Sequence, residues 1–220
     1  MIKNPARISF TAHYTGYVWF KNGLGHPAFI TKKGRRLYQV VSQAEKFARP
    51  FVGIDIETTL LQRHRAINDQ IHQLIAKHKV TQILEIACGL SPRGLLLKKE
   101  YPSGLKYVEA DLPAMSEHKK QLLQACNAIS PEHYTVTINA LASNGEDSID
   151  AILKKHFDPT QPIIIITEGL INYFNEALVR DLWQRLGQAM QRFPKAFYLA
   201  DIYIQTLKHP LATLGKNILK

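Results

Sequence analysis

Cysteine is almost missing from this chain of 220 residues, which carries only Cys88 and Cys126. Two thiols so placed make no disulfide framework and match no zinc-ligand spacing, so no metal site is expected. Cys88 reads as a small buried filler. Long apolar runs are also missing. The most apolar stretch, Ile163–Ile166, falls far short of the ~20 residues a membrane-spanning helix needs. Met1-Ile-Lys-Asn-Pro lacks the apolar core of a signal peptide, which makes a cytoplasmic location the default expectation. There is no internal repeat and no low-complexity segment. Acids are scarce at one end: residues 1–50 hold nine Lys or Arg against a single acid, Glu45. Most of the formal net charge of +10 therefore lies there. Phe10, Tyr14, Tyr17, Trp19, Phe20 and Phe29 crowd the same segment. Such a segment can face an acidic substrate, a membrane surface or RNA, or simply be a solvated helix face whose aromatics pack on the core.

What is present is an alternating pattern. A hydrophobic content of 45% suffices for one well-buried domain. Leu37, Val40, Val41, Ala44 and Phe47 recur at helical spacing over 36–48. A second helix is expected from a cap at Thr58 or Thr59 to about Lys79. Strands are then expected at 82–87, 106–110, 134–139, 162–167 and 196–203, with helices near 92–100, 114–128, 146–156 and 175–192. The continuous apolar run Pro162-Ile-Ile-Ile-Ile-Thr167 indicates a sheet covered on both faces. The fold class is α/β: a doubly wound, Rossmann-like, mostly parallel sheet with a helical N-terminal extension. Residues 1–58 read as a basic, aromatic lid and 59–220 as the nucleotide-binding domain.

Chemistry is expected to begin at Gln82-Ile-Leu-Glu-Ile-Ala-Cys-Gly-Leu-Ser-Pro-Arg93, a buried strand entering a glycine turn and then a helix. The acidic segment Tyr107-Val-Glu-Ala-Asp-Leu112 follows about 20 residues on, as in dinucleotide-binding units. The turn is nevertheless poor in glycine. A pyrophosphate needs several glycines so that backbone amides can approach it, and here Ala87 and Cys88 stand in their place. With Glu85 inside the strand, the site suits a cationic ligand without phosphates, and S-adenosylmethionine fits that description.

In such sheets ligands bind beyond the carboxyl ends of the strands, where strand order reverses. That rule gathers Glu85, Asp111 and Glu168 at one rim. Two carboxylates as close as Glu85 and Glu168 need a cation between them. The favoured cation is the ligand; the alternative is a salt bridge to Arg63, Arg65 or Arg93. Asp111 can hold ribose hydroxyls or cap the helix opened by Pro113, and is preferred to Glu109 for the ribose. Arg63 offers a fork for an amino-acid carboxylate, while Arg65 points elsewhere. His64 is a general-base candidate, although a lone histidine on a surface helix is usually solvated. Asn139-Ala-Leu141 could cover a purine. Gly169 permits a tight exit from the fourth strand, and Asn172 and Tyr173 could reach the acceptor.

These motifs resemble the leucine carboxyl methyltransferase-like group of class I S-adenosylmethionine-dependent methyltransferases, which includes polyketide O-methyltransferases. The resemblance runs from Thr11-Ala-His-Tyr-Thr-Gly16 through the fifth strand. It rests on Arg63-His-Arg-Ala-Ile67, Leu84-Glu-Ile-Ala-Cys-Gly-Leu90, Tyr107-Val-Glu-Ala-Asp-Leu-Pro113 and Thr167-Glu-Gly-Leu-Ile-Asn-Tyr173. It implies that Arg63 holds the methionyl carboxylate, Gly89 lies against the ligand, Asp111 holds the ribose, Ala140 and Leu141 line the adenine, and Glu168 faces the methionyl end. Ala87, Leu112 and Gly169 complete the expected binding set. Ala87-Cys88 replaces the usual Gly-Ala, Ser91-Pro92 replaces Asp-Thr, and Asn68 stands where aspartate is common. The usual fold adds two strands after the fifth. Residues 205–220 do not read as two strands, so the final strands are expected to be missing and the edge at 196–203 to be covered by the tail or a second copy.

The expected activity is methyl transfer from S-adenosylmethionine to a small-molecule or peptide-carboxylate acceptor, leaving S-adenosylhomocysteine. A carboxylate is already ionised, so no strong base is required; a phenol would need one, with His13, His64 or Tyr173 the candidates. A non-catalytic S-adenosylmethionine-binding module is the alternative. A homodimer is a further expected partner. A nucleic-acid substrate is not expected, since no Asn-Pro-Pro-aromatic motif follows the fourth strand, and no membrane span is expected, since no apolar run is long enough.

Overall fold

The computed structural model describes residues 5–52 and 56–202, with side chains over 11–43 and 56–202. Two long helices lead, α1 (Pro5–Lys21) and α2 (Lys32–Val52), followed by α3 (Ile56–His78). Strands and helices then alternate: β1 (Gln82–Ile86), α4 (Arg93–Glu100), β2 (Lys106–Asp111), α5 (Pro113–Ala125), β3 (His133–Thr137), α6 (Ile149–His156), β4 (Ile163–Thr167), α7 (Glu176–Met190) and β5 (Ala196–Ala200). The five strands are parallel in the order β3-β2-β1-β4-β5, so the order reverses at the β1/β4 boundary. This is the expected doubly wound sheet with a helical N-terminal extension.

Alternate side chains divide the core. Leu84, Ile86, Val108, Ile163 and Ile165 meet Ile152 and Leu153 of α6 and Leu182 and Leu186 of α7. On the other face Ile83, Tyr107, Ile164 and Ile166 meet Ile67 and Ile71 of α3 and Leu97 of α4. Every residue of β4 is fully buried, which is why its isoleucines run unbroken. Above the sheet's carboxyl edge, Tyr14, Val18 and Trp19 of α1 pack with Leu61 of α3. Glycines bring α1 close to its neighbours. A Cβ on Gly34 of α2 would run into the His13 carbonyl, and one on Gly16 would lie 3.0 Å from the Leu90 Cβ.

Several boundaries differ from expectation for local reasons. The helix α3 is already formed at Ile56, ahead of the cap expected at Thr58 or Thr59. The Ser148 side chain accepts from the Ala151 amide, so α6 begins after it rather than near 146. β3 starts at His133, paired with Tyr107, and ends before Asn139, whose amide turns away to the Asp147 carbonyl. β5 ends at Ala200 and is the outer strand of the described sheet. Ile202 is exposed beside it. Ile204 and the tail 205–220 expected to bear on this edge lie outside the described residues. Among the described residues no helix is long and apolar enough to cross a membrane.

Candidate functional site

The turn after β1 holds two left-handed residues on either side of Cys88, Ala87 at φ 57° and Gly89 at φ 50°. The left-handed conformation costs an L-residue roughly 1–2 kcal/mol, so something must hold Ala87 there. Asp111 at the end of β2 contributes. Its Oδ2 accepts from the Gly89 amide at 2.8 Å and its Oδ1 from the Leu112 amide at 2.7 Å. Burial pushes the Asp111 carboxyl up and these two N–H donors pull it back, with the balance upward. The helix-capping alternative is not the one realised: α5 starts at Pro113, and Leu112 holds the capping position with no side-chain cap. Of the two acids that compete in this strand, Asp111 reaches the cleft, whereas Glu109 is sealed beneath it.

The acids Glu85 and Glu168 do share a cation, and it belongs to the protein. Fully buried Arg93, the first residue of α4, pairs with Glu85 through one terminal nitrogen and with Glu168 through the other. Its Nε donates to Asn68 Oδ1 at 2.7 Å. The expectation that a ligand charge joins these carboxylates is therefore corrected in favour of a salt bridge. Tyr107 adds a hydrogen bond to Glu85 Oε2 at 2.7 Å. Burial raises the Glu85 carboxyl, and Arg93 only partly offsets that. Burial would raise Glu168 too, but Arg93, His64 and Arg63 together hold it well below the carboxylate range. Arg63 donates to Glu168 at 2.9 Å and to Asp201 at 3.2 Å. Gly169, at φ 72°, lies under that guanidinium, where a Cβ would come within 3.3 Å of it.

His64 corrects a second expectation. It is buried rather than solvated, its ring tilted against Trp19 with centroids 4.4 Å apart, with Nδ1 3.0 Å from Glu168 and 2.9 Å from the Arg93 guanidinium. Burial and then Arg93 lower its titration, so the imidazole is held neutral. The spacing Leu61, His64, Ile67, Ile71 was the signal, because these fall on one helical face. Cys88 is the buried filler expected, its thiol pushed well up by burial.

A cavity of about 590 Å³ opens over this rim. Arg63, Glu85, Ala87, Gly89, Asp111, Leu112, Glu168, Gly169 and Tyr173 line it, as do Tyr14, Trp19 and Leu60 from the helices above and Lys33 from α2. The Tyr173 hydroxyl lies 2.8 Å from Thr11 Oγ1, which ties the loop after β4 to α1. Three expected residues are not in the lining. Asn172 turns to Asp201 at 3.2 Å, and Ala140 and Leu141 sit in the turn after β3, where the Ala140 carbonyl accepts from Arg185. Of the N-terminal aromatics, Tyr14 and Trp19 line the cavity, while Tyr17 packs 5.2 Å from the Tyr38 ring. Lone aromatic and aliphatic positions on α1 and α3 gave the sequence no chemical signal for their place in the cavity.

A parallel sheet with a charged cleft at its reversal point is the architecture of a class of nucleotide- and nucleoside-binding enzymes. The sequence matches the leucine carboxyl methyltransferase family over residues 28–187. The chain belongs to that family. It is 30% identical over 119 residues to a protein named "Putative S-adenosyl-L-methionine-dependent methyltransferase" from Mycolicibacterium smegmatis, covering 54% of this chain and 36% of the relative. It is 23% identical over 166 residues to the tetracenomycin polyketide synthesis O-methyltransferase TcmP of Streptomyces glaucescens, covering 71% of this chain and 55% of the relative. The chain thus spans about half or less of these relatives' lengths. Two crystal structures share the fold. A methyltransferase, so titled provisionally, from Thermobifida fusca has a TM-score of 0.59 at 13% identity, over 94% of this chain and 72% of that one. A duf574 family protein from Streptomyces avermitilis has a TM-score of 0.59 at 14% identity, over 95% and 74%.

Proposed function

We propose that the chain binds S-adenosylmethionine in the cavity between the strand rim and α1, and that its methyl group passes to an acceptor oxygen, a carboxylate first. The observation that carries this reading is the pairing of two anchors at the sheet's reversal point. Asp111 clamps the glycine turn on one side, and Arg63 sits over Gly169 on the other. The donor set fits the ligand's chemistry: a guanidinium for an α-carboxylate, and a carboxylate beside a φ-positive turn for a ribose. When bound, S-adenosylmethionine supplies an electrophilic methyl group on a sulfonium. In this reading Arg63, Glu168 and Gly169 hold the amino-acid end, Ala87 and Gly89 give the close backbone wall, and Asp111 and Leu112 hold the sugar. Tyr173 lies where an acceptor would enter, and residues 1–58 act as the cover over the domain 59–220.

The choice of an acceptor that arrives ionised rests on what lies in the cavity. His64 is neutral and sealed behind Trp19, and His13 is engaged 2.9 Å from Thr31 Oγ1. Neither lines the cavity. With no imidazole among the described residues lining the cavity, alignment and exclusion of water are the levers this reading assigns to the protein. Calorimetry with S-adenosylhomocysteine tests the ligand. Arg63→Ala and Asp111→Ala should each weaken binding about ten- to a hundredfold, the scale of a charge-assisted contact, and Arg65→Ala should leave it unchanged. No heat with either S-adenosylmethionine or S-adenosylhomocysteine, or all three variants binding alike, would reject the reading.

A further inference from the structure

The ligand-facing turn has a second support that neither the proposed chemistry nor the family motifs use. Lys119 lies two turns into α5 and is wholly buried. Its ammonium donates to the Ser91 carbonyl at 2.6 Å and the Gly89 carbonyl at 3.5 Å, and pairs with buried Glu109. Glu109 is held from its other side by His133, whose Nε2 is 2.8 Å away. The Phe29 ring lies 4.9 Å from the ammonium and closes the site from above. An ammonium has three N–H donors; two go to the turn's carbonyls, and Glu109 lies against the ammonium as its opposite charge.

These contacts constrain Gly89 on every side. Its amide goes to Asp111, its carbonyl to Lys119, and its α-carbon faces Ala12, whose Cβ would be 3.0 Å from any Cβ placed there. Both side chains come from one stretch, the end of β2 and the helix it feeds, so the turn is gripped from a single rigid element. Burying an ammonium is costly unless it is paired and hydrogen-bonded. Here burial opposes the charge, and Glu109 outweighs it, so the group stays cationic. Pairing alone would explain Glu109, but it does not explain why two of the three donors are given to the carbonyls that shape a φ-positive turn.

We propose that Lys119 is a positioning residue for the cofactor turn: it fixes the Gly89 and Ser91 carbonyls, so that Gly89 presents its backbone to the ligand in one conformation. The inference rests on the binding site proposed above. It also predicts a cost that falls on cofactor affinity. Lys119→Met alone leaves Glu109 buried beside His133 only, so the test uses the neutral double variant Lys119→Met/Glu109→Gln as well. That variant should unfold cooperatively and bind S-adenosylhomocysteine about tenfold or more weakly than wild type. A folded double variant with wild-type affinity overturns the inference alone. Failure of the wild-type chain to bind overturns it together with the proposed function. The second measurement needs no substitution. In the ¹⁵N-labelled wild-type chain a buried, slowly exchanging Lys119 Nζ resonance should shift on saturation with S-adenosylhomocysteine; an unmoved resonance overturns the inference even if no variant folds.

Discussion

The rim formed by β1, β2 and β4 and the cover formed by α1 and α2 face the same cavity, but they are held by different forces. In the rim, charged groups are buried and bound to one another: Glu85 and Glu168 to Arg93, Glu109 to Lys119 and His133. In the cover, aromatic and aliphatic side chains pack on Leu61, glycines allow close helix contact, and Lys32, Arg35 and Arg36 are exposed. Paired charges in low dielectric have one acceptable arrangement, because each displaced partner leaves an unsatisfied ion. Apolar packing between helices tolerates sliding at lower cost. By this comparison the rim should stay fixed under perturbation, and the cover is the wall expected to give first.

The largest effect should come from removing the rim's central cation. Arg93→Met retains much of the volume but leaves Glu85 with no cation, only the Tyr107 hydroxyl, and removes one of the partners of Glu168. Breaking a buried pair in this way costs about 3–5 kcal/mol, which urea unfolding would register as a large drop in midpoint. Adding Glu85→Gln should recover part of the loss, since the remaining Glu168 still has Arg63 and His64. If the single and double variants are equally unstable, volume rather than charge holds the rim together.

The two walls also differ in how far they could be read from sequence. Strand runs, the glycine turn and the acid at Asp111 placed the sheet, its order and the position of the cleft, because parallel strands buried on both faces have a distinctive composition. The pairing inside the rim was less accessible. Arg93 stood beside Arg63 and Arg65 as a candidate partner, and only the path of the chain through Ser91-Pro92 into α4 aims it at both acids. His64 and Lys119 were hidden because polar residues usually mark a solvated helix face, although each sits at helical spacing among buried neighbours. The cover was legible only as a basic, aromatic helical extension. Its contacts depend on which glycine meets which backbone, and composition does not encode that.

A smaller effect should arise in the cover. At Gly34 an added methyl would run into the His13 carbonyl, a backbone atom that cannot swing aside. Gly34→Ala should therefore separate α1 from α2 at a cost of about 1–3 kcal/mol, the range of overpacking. Hydrogen exchange checks whether the cost is local. Faster exchange in α1 amides with β1 and β4 still protected would sharpen the contrast between the walls. Uniform loss of protection would erase it by showing that the cover and the sheet unfold as one.

The smallest expected effect lies where the walls meet, at His64 between Trp19 of the cover and Glu168 of the rim. Burial and Arg93 lower its titration in the folded chain, so the unfolded chain takes up the proton first. Below the unfolded value of about 6.5 the unfolded state binds more protons, and stability must fall as pH drops. Glu168 does not confuse this window. Its folded titration is depressed, so its contribution is present above its unfolded value of about 4.3 and is lost only below that. Glu85 and the half-buried His13 and His156 also titrate unusually, and for that reason the comparison is between wild type and His64→Gln rather than between two pH values alone. Urea unfolding at pH 7.5 and 5.5 should show the wild type losing up to about 1.4 kcal/mol more than the variant for each pH unit below 6.5. Parallel losses in the two proteins would mean that His64 gains a proton without leaving its place, and that the junction between rim and cover is looser than its buried geometry indicates.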